Sequence, residues 1–141
     1  MQKYLKLKNN TKLKIRIADI KDLNFTLNLH NYNVLRKKFF SKNKVSLNEH
    51  KIWFKNKIKE KMLFICSLKY RIGYIRYDYI NKNYLSVSIA IKEKYKRKGF
   101  GKQMLAKTLN KKKISNFNVI AVIKNKNLTS KKFFLDSGFK F

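Results

Sequence analysis

The sequence of 141 residues has no proline, one cysteine, four glycines and only seven acidic residues. A lone cysteine excludes an internal disulfide, and the position of Cys66 in the apolar run MLFICSL predicts a reduced core residue. No apolar run approaches the ~20 residues of a membrane-spanning helix, and the charged N-terminus lacks the apolar segment of a signal peptide. We therefore expect a globular cytoplasmic protein, folded as a single domain over residues 1–141.

The scarcity of acidic residues leaves a formal net charge of +29. Lysine outnumbers arginine 31 to 5, and 16 asparagines stand beside four alanines, a skew typical of AT-rich codon usage. Nucleic-acid surfaces usually recruit arginine, and these lysines are spread along the chain, so we expect non-specific attraction to polyanions and no specific nucleic-acid site. A basic nucleic-acid-binding module without catalysis, with Tyr32 and Phe39 stacking on bases, stays open as an alternative.

Hydrophobic periodicity predicts strands and helices in the order β, α, α, β, β, β, α, β, α, β. The predicted strands cover 3–17 (a strand or hairpin), 62–69, 72–80, 84–91, 117–123 and 139–141. The predicted helices cover 20–30, 46–59, a stretch ending at Leu109, and 127–137, and residues 31–45 are predicted irregular. Short links between the strands at 62–91 predict antiparallel hairpins, so we expect a mixed, mostly antiparallel sheet with helices on both faces. The last predicted strand is short, as if truncated.

The stretch Ser86–Leu109 holds two of the four glycines, between a β-branched apolar run and an amphipathic helix. Gly99 and Gly101 allow positive φ and let a ligand approach the main chain closely. A helix N-terminus after such a turn presents free N–H groups and the positive end of the helix dipole. This arrangement predicts an anion site, most naturally for phosphate, although a plain basic turn would show the same pattern.

Two motifs resemble those of the GCN5-related N-acetyltransferase (GNAT) superfamily. The family's acetyl-CoA motif is Q/R-x-x-G-x-G/A, and Lys96, Gly99 and Gly101 stand at its three fixed positions, with lysine as a departure from Q/R. An asparagine followed by a short helix that ends in Gly-Phe is matched by Asn127, Ser130, Gly138 and Phe139. The resemblance runs from about Leu13 to the C-terminus. It implies a GNAT fold whose sheet is splayed at the acetyl-CoA site.

The resemblance also implies acetyl-CoA as co-substrate, with no metal. The residues expected to hold the pyrophosphate are Lys96, Arg97, Lys98, Gly99, Phe100, Gly101 and Lys102. Those expected along the pantetheine arm and around the thioester are Ile89, Ala90, Ile91, Asn127, Ser130 and Phe134.

Two departures from the family pattern concern proton transfer. Val122 stands where members that acetylate protein N-termini often carry a glutamate base. Phe134 stands where many members carry a tyrosine that protonates the thiolate, so water, Tyr77 or Tyr95 is expected to do so. His50 is the candidate general base because imidazole titrates near neutral pH, with a packing role as the alternative.

A third series of residues is similar to acetyltransferases of nucleotide-activated amino sugars in pseudaminic and related nonulosonic acid biosynthesis. Residues 31–39, 49–54 and 73–78 resemble the family pattern "N-x-x-x-V-R-x-x-F … H-x-x-W-F … G-x-x-R-F-D", and His30 stands where a bulky aromatic residue is expected. The resemblance implies that the acetyl acceptor is the 4-amino group of a UDP-linked amino-dideoxy sugar. Residues expected to bind it are Asn31, Arg36, Trp53 and Arg76. A protein or another small amine as acceptor stays open, and the sequence predicts no oligomeric state.

Overall fold

A five-stranded sheet forms the frame of the molecule. The computed structural model describes residues 12–35 and 44–141, and its strands lie in the order β1-β2-β3-β4-β5. Their bounds are Lys14–Ile17 (β1), Leu63–Ser67 (β2), Arg71–Tyr79 (β3), Tyr84–Ile91 (β4) and Asn118–Ile120 (β5). Strands β1 to β4 pair antiparallel, and β5 runs parallel to β4. The predicted mixed, mostly antiparallel sheet is therefore confirmed.

Helices pack on both faces of this sheet. Their bounds are Leu23–Leu35 (α1), Leu47–Glu60 (α2), Phe100–Leu109 (α3), Lys112–Ser115 (α4) and Leu128–Asp136 (α5), with 3-10 turns at Ile20–Asp22 and Glu93–Tyr95. Because side chains alternate along a strand, β2 sends Leu63 and Ile65 to one face and Phe64 to the other. The first pair packs with Leu29 of α1 and Phe54 of α2. The opposite face packs with residues of α3, α4 and α5.

Two helical segments were not predicted. Helix α1 continues through residues 31–35, where the asparagine-rich sequence favours irregular structure. Packing of α1 as a whole against β3 and β4, with Asn33 buried, outweighs the poor helix propensity. The short helix α4 inserts Ile114 fully into the core.

Two predicted strands differ from the structure. The strand predicted at 117–123 pairs only at Asn118–Ile120. Residues 139–141 form no strand, since the amide of Phe139 instead donates to the Phe134 carbonyl at the end of α5. The segments predicted at 3–11 and at 36–43 lie outside the described residues.

The sheet opens between β4 and β5. Their parallel ladder ends at the pair Ser86–Ile120, whereas β4 continues to Ile91. Lys92 donates its N–H to the Ile72 carbonyl, and alternate residues of an antiparallel strand face the same neighbour. Val87, Ile89 and Ile91 therefore direct their main-chain groups away from β3, into the gap between β4 and β5.

A buried carboxylate joins the start of α1 to two strands. Asp22 is fully buried, and its oxygens accept hydrogen bonds from Arg16 of β1 at 2.7 and 2.8 Å and from Arg71 of β3 at 3.1 Å. The same carboxylate caps the Asp19 amide at 2.9 Å. Burial alone would raise the pKa of Asp22, but the bonds from Arg16, Asp19 and Arg71 outweigh it and hold the pKa below its usual value.

Replacing Asp22 with asparagine is expected to lower the free energy of unfolding at pH 7 by about 2–3 kcal/mol, because charge-assisted hydrogen bonds are lost. Since the folded pKa is lowered, the stabilisation is complete above the unfolded pKa of about 3.9 and is lost as the pH falls below it. Urea unfolding should therefore show a smaller deficit at pH 3 than at pH 7. Asp19→Asn is the control, since asparagine also caps helices well. An equal deficit at both pH values would contradict the assignment.

The lone cysteine is a core residue, as predicted. Cys66 is fully buried in β2, and burial raises the pKa of its thiol to about 12. Across the ranges that the structure describes, no helix combines the length and the apolar character needed to span a membrane.

Candidate active site

An open cleft of about 680 Å³ lies where β4 and β5 separate. Its walls come from β4, from the loop before α3, from the start of α5 and from one side of α1. On β4 the residues that line it are Val87, Ser88, Ile89 and Ile91. Ala90 is buried in the second core cluster and does not line the cleft. Of the three β4 residues predicted to meet acetyl-CoA, Ile89 and Ile91 therefore lie in position to do so.

The N-terminus of α3 forms one wall of the cleft. Its N-cap is Gly99, which has a left-handed φ of 84° and offers no side-chain cap to the first-turn amides. A Cβ built on Gly99 would meet no atom within 4 Å, so the backbone conformation, and not a lack of space, requires glycine there. The uncapped N–H groups and the helix dipole give this wall the character of an anion site.

Gly101 lines the cleft and also allows close packing of three elements. A Cβ at this position would lie 3.2 Å from Cε2 of Phe133 and 3.3 Å from Cδ1 of Ile91. The glycine therefore lets α3 approach α5 and β4 closely. A larger residue at position 101 would push these elements apart, in addition to any effect on the cleft that the glycine lines.

A second helix N-terminus meets the same cleft. The side chain of Asn127 caps α5 by accepting the Ser130 amide at 3.1 Å, and both residues line the cleft. At the other end, Gly138 has a φ of 96°, as predicted for a C′ glycine. The amide of Phe139 bonds the Phe134 carbonyl at 3.0 Å, and the two rings contact at 5.0 Å between centroids. This closure fixes α5 against the core.

Cationic side chains surround the two helix ends. Those that line the cleft on this side are Lys96, Arg97, Lys102, Lys124 and Lys132. Glu93 pairs with Lys96 at 3.1 Å and with Arg97 at 3.8 Å, which holds these two cations beside the turn. Lys98 is exposed and lies outside the cleft lining, as does Phe100. The two helix N-termini and the cations suit the phosphate groups of a ligand, and the apolar β4 wall suits a long thin arm. Acetyl-CoA has both features.

The end of the cleft next to α1 has a separate set of polar groups. His30 and Asn33 of α1, Arg76 of β3 and Ser88 of β4 line it, and Arg76 and Ser88 are cross-strand partners. Burial, with the positive charge of Arg76 second, lowers the pKa of His30 to about 4, so this imidazole is neutral at pH 7. Arg76 was predicted from the sequence to bind the acceptor, whereas Asn33 and Ser88 were not predicted as site residues. The i, i+3 spacing of His30 and Asn33 places both on one face of a helix, and this was the sequence pattern that could have indicated Asn33.

Arg76 is held by an aromatic ring and by an ion-pair chain. Its guanidinium lies 5.1 Å from the centroid of Trp53, and its Nε lies 3.5 Å from an oxygen of Asp78. Asp78 also pairs with Lys57 of α2, which is almost fully buried and bonds Glu60 at 3.1 Å. Trp53 does not line the cleft, so its position supports Arg76 and not direct stacking on a sugar. Asp78 thus links a buried lysine of α2 to the arginine that lines the cleft.

Asn31, which was predicted to bind the acceptor, does not line the cleft. The carboxamide of Asn31 bonds both main-chain groups of Val45, at 2.9 and 3.0 Å, and so joins α1 to the residues before α2. This is a structural role. Arg36 lies outside the described residues.

His50, the candidate base, is buried between α1 and α2. It is 4% exposed, its Nε2 lies 2.9 Å from the Thr26 hydroxyl, and its ring contacts Trp53 and Phe54. Burial lowers the pKa of His50, although a hydrogen bond with the Leu23 backbone opposes this shift. The cleft lining does not include it. This position favours the packing alternative.

His50→Gln is expected to leave kcat and its pH profile unchanged while lowering the free energy of unfolding by about 1–2 kcal/mol. Because the folded pKa of His50 is lowered, the parent loses stability as the pH falls through the unfolded value of about 6.5, and the variant should lose less. Urea unfolding and steady-state rates between pH 5.5 and 8.5 measure both effects. Loss of an activity limb near the imidazole pKa would restore His50 as the base.

The two residues considered for protonating the thiolate do not reach the cleft. Tyr77 is fully buried, its hydroxyl bonds that of Thr108 at 2.7 Å, and burial raises its pKa to about 12. As the neighbour of Arg76 in β3, it must face the opposite side of the sheet. Tyr95 packs on Phe100 instead. Phe134, which does line the cleft, has no proton to give, and no tyrosine is among the described residues that line it.

Comparison with known proteins places this geometry in a family. The family model of the acetyltransferase (GNAT) domain matches residues 12–140. A ribosomal-protein-alanine N-acetyltransferase from Brucella melitensis superposes with a TM-score of 0.81 at 20% identity, over 90% of this chain and 84% of the other. A phosphinothricin acetyltransferase from Sinorhizobium meliloti, solved with acetyl-CoA, gives 0.79 at 18% identity, over 91% and 75%. A diaminobutyrate acetyltransferase from Paenibacillus lautus gives 0.69 at 18% identity, over 89% and 74%. No curated protein sequence matches the chain.

Proposed function

Because the chain belongs to the GNAT acetyltransferase family, and so transfers acetyl from acetyl-CoA to an amine, we propose that its acceptor is a nucleotide-linked amino sugar. The specific acceptor proposed is the 4-amino group of a UDP-linked amino-dideoxy sugar, of the kind used in nonulosonic acid biosynthesis. We propose that the enzyme is cytoplasmic, because both of its proposed substrates are made in the cytoplasm. A non-catalytic nucleic-acid-binding role is set aside, since the family match accounts for Gly99, Asn127 and Gly138.

The observation that carries this proposal is the placement of Arg76 at the α1 end of the cleft. Its guanidinium is stacked on Trp53 and paired with Asp78, so it is held in one orientation without a ligand. A fixed planar fork suits a phosphate oxygen pair better than it suits a cationic peptide terminus or a polyamine. Arg36, outside the described residues, stays a second candidate for the same diphosphate.

The residues of the cleft support direct transfer. The nitrogen of a neutral amine forms a bond to the acetyl carbon while the carbon–sulfur bond breaks. The nitrogen then loses a proton to water, and the leaving thiolate accepts a proton from water. The free N–H groups of Ile89 and Ile91 lie on the edge of β4 that faces the cleft, where one of them can stabilise negative charge on the carbonyl oxygen. Arg76 disfavours the ammonium form of a nearby amine.

Acetylation of protein N-termini is the remaining enzymatic alternative. Members that perform it often carry a glutamate where this chain has Val122, a residue that is 65% exposed at the cleft margin. No carboxylate stands at that position. The fixed cation of Arg76 also opposes a positively charged peptide terminus.

The test is an acceptor panel assayed by release of the CoA thiol. A UDP-linked 4-amino-4,6-dideoxy sugar is compared with the same sugar lacking UDP, an alanine-terminated peptide and spermidine. We expect kcat/KM to be at least ~10²-fold higher for the sugar nucleotide, because the diphosphate adds charge-assisted bonds. The buried thiol of Cys66 should not interfere with thiol detection. Equal rates with the unactivated amines would end the sugar-nucleotide proposal and leave the acetyltransferase assignment intact.

A further inference from the structure

Asn33 has a buried carboxamide at the acceptor end of the cleft. The residue is 2% exposed and lines the cleft, yet its Oδ1 accepts no hydrogen bond from the part of the chain that the structure describes. A buried polar atom without a partner reduces stability, because its hydrogen bonds to water are lost on folding. It indicates a ligand atom as the partner.

The neighbours of Asn33 define what that ligand atom can be. Arg76 and Ser88 lie on the facing strands, and His30 lies one turn earlier on α1. The guanidinium of Arg76 can only donate hydrogen bonds, so an anionic part of a ligand belongs there. The Oδ1 of Asn33 can only accept, so its partner must carry an N–H or O–H.

The carboxylate beside Arg76 is that of Asp78, which also pairs with Lys57 and does not line the cleft. The acidic residues that line the cleft within the described ranges are Glu93 and Asp136. Glu93 lies in the 3-10 turn and is engaged with Lys96 and Arg97, and Asp136 lies in the last turn of α5. The acceptor that Asn33 presents at this end of the cleft is therefore a neutral amide oxygen, Oδ1, and not a carboxylate. It can accept from a neutral amine without stabilising the ammonium form as a carboxylate would.

We infer that Asn33 is a specificity-determining and orienting residue, whose Oδ1 accepts one N–H of the acceptor amine and thereby aims the nitrogen lone pair at the thioester. The inference rests on the proposed function only in requiring an amine acceptor at this end of the cleft. It does not depend on the amine being a sugar. Asn33 binds the nucleophile, Arg76 binds the anionic part of the same molecule, and β4 binds the acetyl donor.

The closing experiment compares Asn33→Leu with Asn28→Leu, the latter at an exposed asparagine of the same helix. Leucine has the branching of asparagine and removes the unpaired oxygen, although it is larger, so the folded state of the variant is checked by circular dichroism and thermal melting beside the parent. We expect kcat to fall by ~10²-fold, the penalty typical of a misaligned nucleophile. The Kd for acetyl-CoA, measured by calorimetry, and all properties of Asn28→Leu should match the parent.

The two possible failures are distinguishable. The parent is first assayed with the UDP-linked 4-amino sugar, the alanine-terminated peptide and spermidine, and the variants are compared on whichever is acetylated fastest. If that amine is the peptide or spermidine, the sugar-nucleotide proposal has failed while the Asn33 inference is still judged on the measured rates. If Asn33→Leu leaves kcat and KM for that amine at parental values, whatever its melting temperature, Asn33 is a packing residue and the inference is wrong.

Discussion

Replacing Gly99 with valine is expected to weaken acetyl-CoA binding by at least ~10²-fold. Gly99 has a left-handed φ of 84° at the N-cap of α3, a conformation that costs a β-branched residue about 1–3 kcal/mol. The turn can escape this strain only by rotating its amides away from the positions they hold in the cleft. Each charge-assisted hydrogen bond to phosphate that is then lost is worth about 1.5–3 kcal/mol, so two lost bonds account for the expected effect.

Calorimetric titration with acetyl-CoA measures this effect, and Lys98→Ala is the matched control. Lys98 is adjacent in sequence, exposed and outside the cleft lining, so its loss should change the Kd by less than about threefold, as expected for a screened surface charge. Circular dichroism should show both variants folded. Parental affinity in Gly99→Val would show that the α3 turn is not the phosphate site.

Replacing Arg76 with methionine is expected to lower kcat/KM for the UDP-linked amino sugar by ~10²-fold or more, mainly through KM. The change keeps an unbranched apolar side chain up to about the position of Nε but removes a bidentate donor, whose two bonds to a diphosphate are charge-assisted. Asp78 retains Lys57 as a partner, so the fold should persist. Steady-state kinetics with each substrate varied in turn should show the KM for acetyl-CoA unchanged.

Arg76→Lys provides the control for charge alone. Lysine keeps the positive charge but cannot form the planar fork or the same stacking on Trp53, so an intermediate loss is expected. A full recovery by lysine would indicate that only net charge matters at this position. Equal kinetics of the methionine variant and the parent would remove Arg76 from the acceptor site, and with it the main support for a phosphorylated acceptor.

The donor half of the site was predictable because it is local. Lys96, Gly99 and Gly101 lie within one strand–turn–helix stretch. The residue types that a left-handed turn and a helix N-terminus require therefore follow one another closely in the sequence. Gly138 was predictable for the same reason, as a C′ residue next to the helix it ends. In both cases backbone conformation restricts the residue type strongly.

The acceptor half was less predictable because three separate elements build it. The motif spacing placed His50 and Trp53 on one helix face but could not show that this face packs against α1 and Arg76. The pairing of Arg76 with Ser88 depends on strand register, which the hydrophobic pattern alone does not give. Alternation along β3 does place Arg76 and Tyr77 on opposite faces, so one of these two predicted site residues could have been excluded from sequence.

The ion-pair chain from Lys57 through Asp78 to Arg76 has a consequence for the divergence of such enzymes. Lys57 belongs to α2 and lies outside the cleft lining, yet it shares Asp78 with the residue that faces the acceptor. A substitution at Lys57 would free Asp78 to draw the guanidinium away from the cleft. Two descendants of one ancestor could thus have the same cleft-lining residues and still prefer different amines. The difference in selectivity would come from a substitution in α2, none of whose residues lines the cleft.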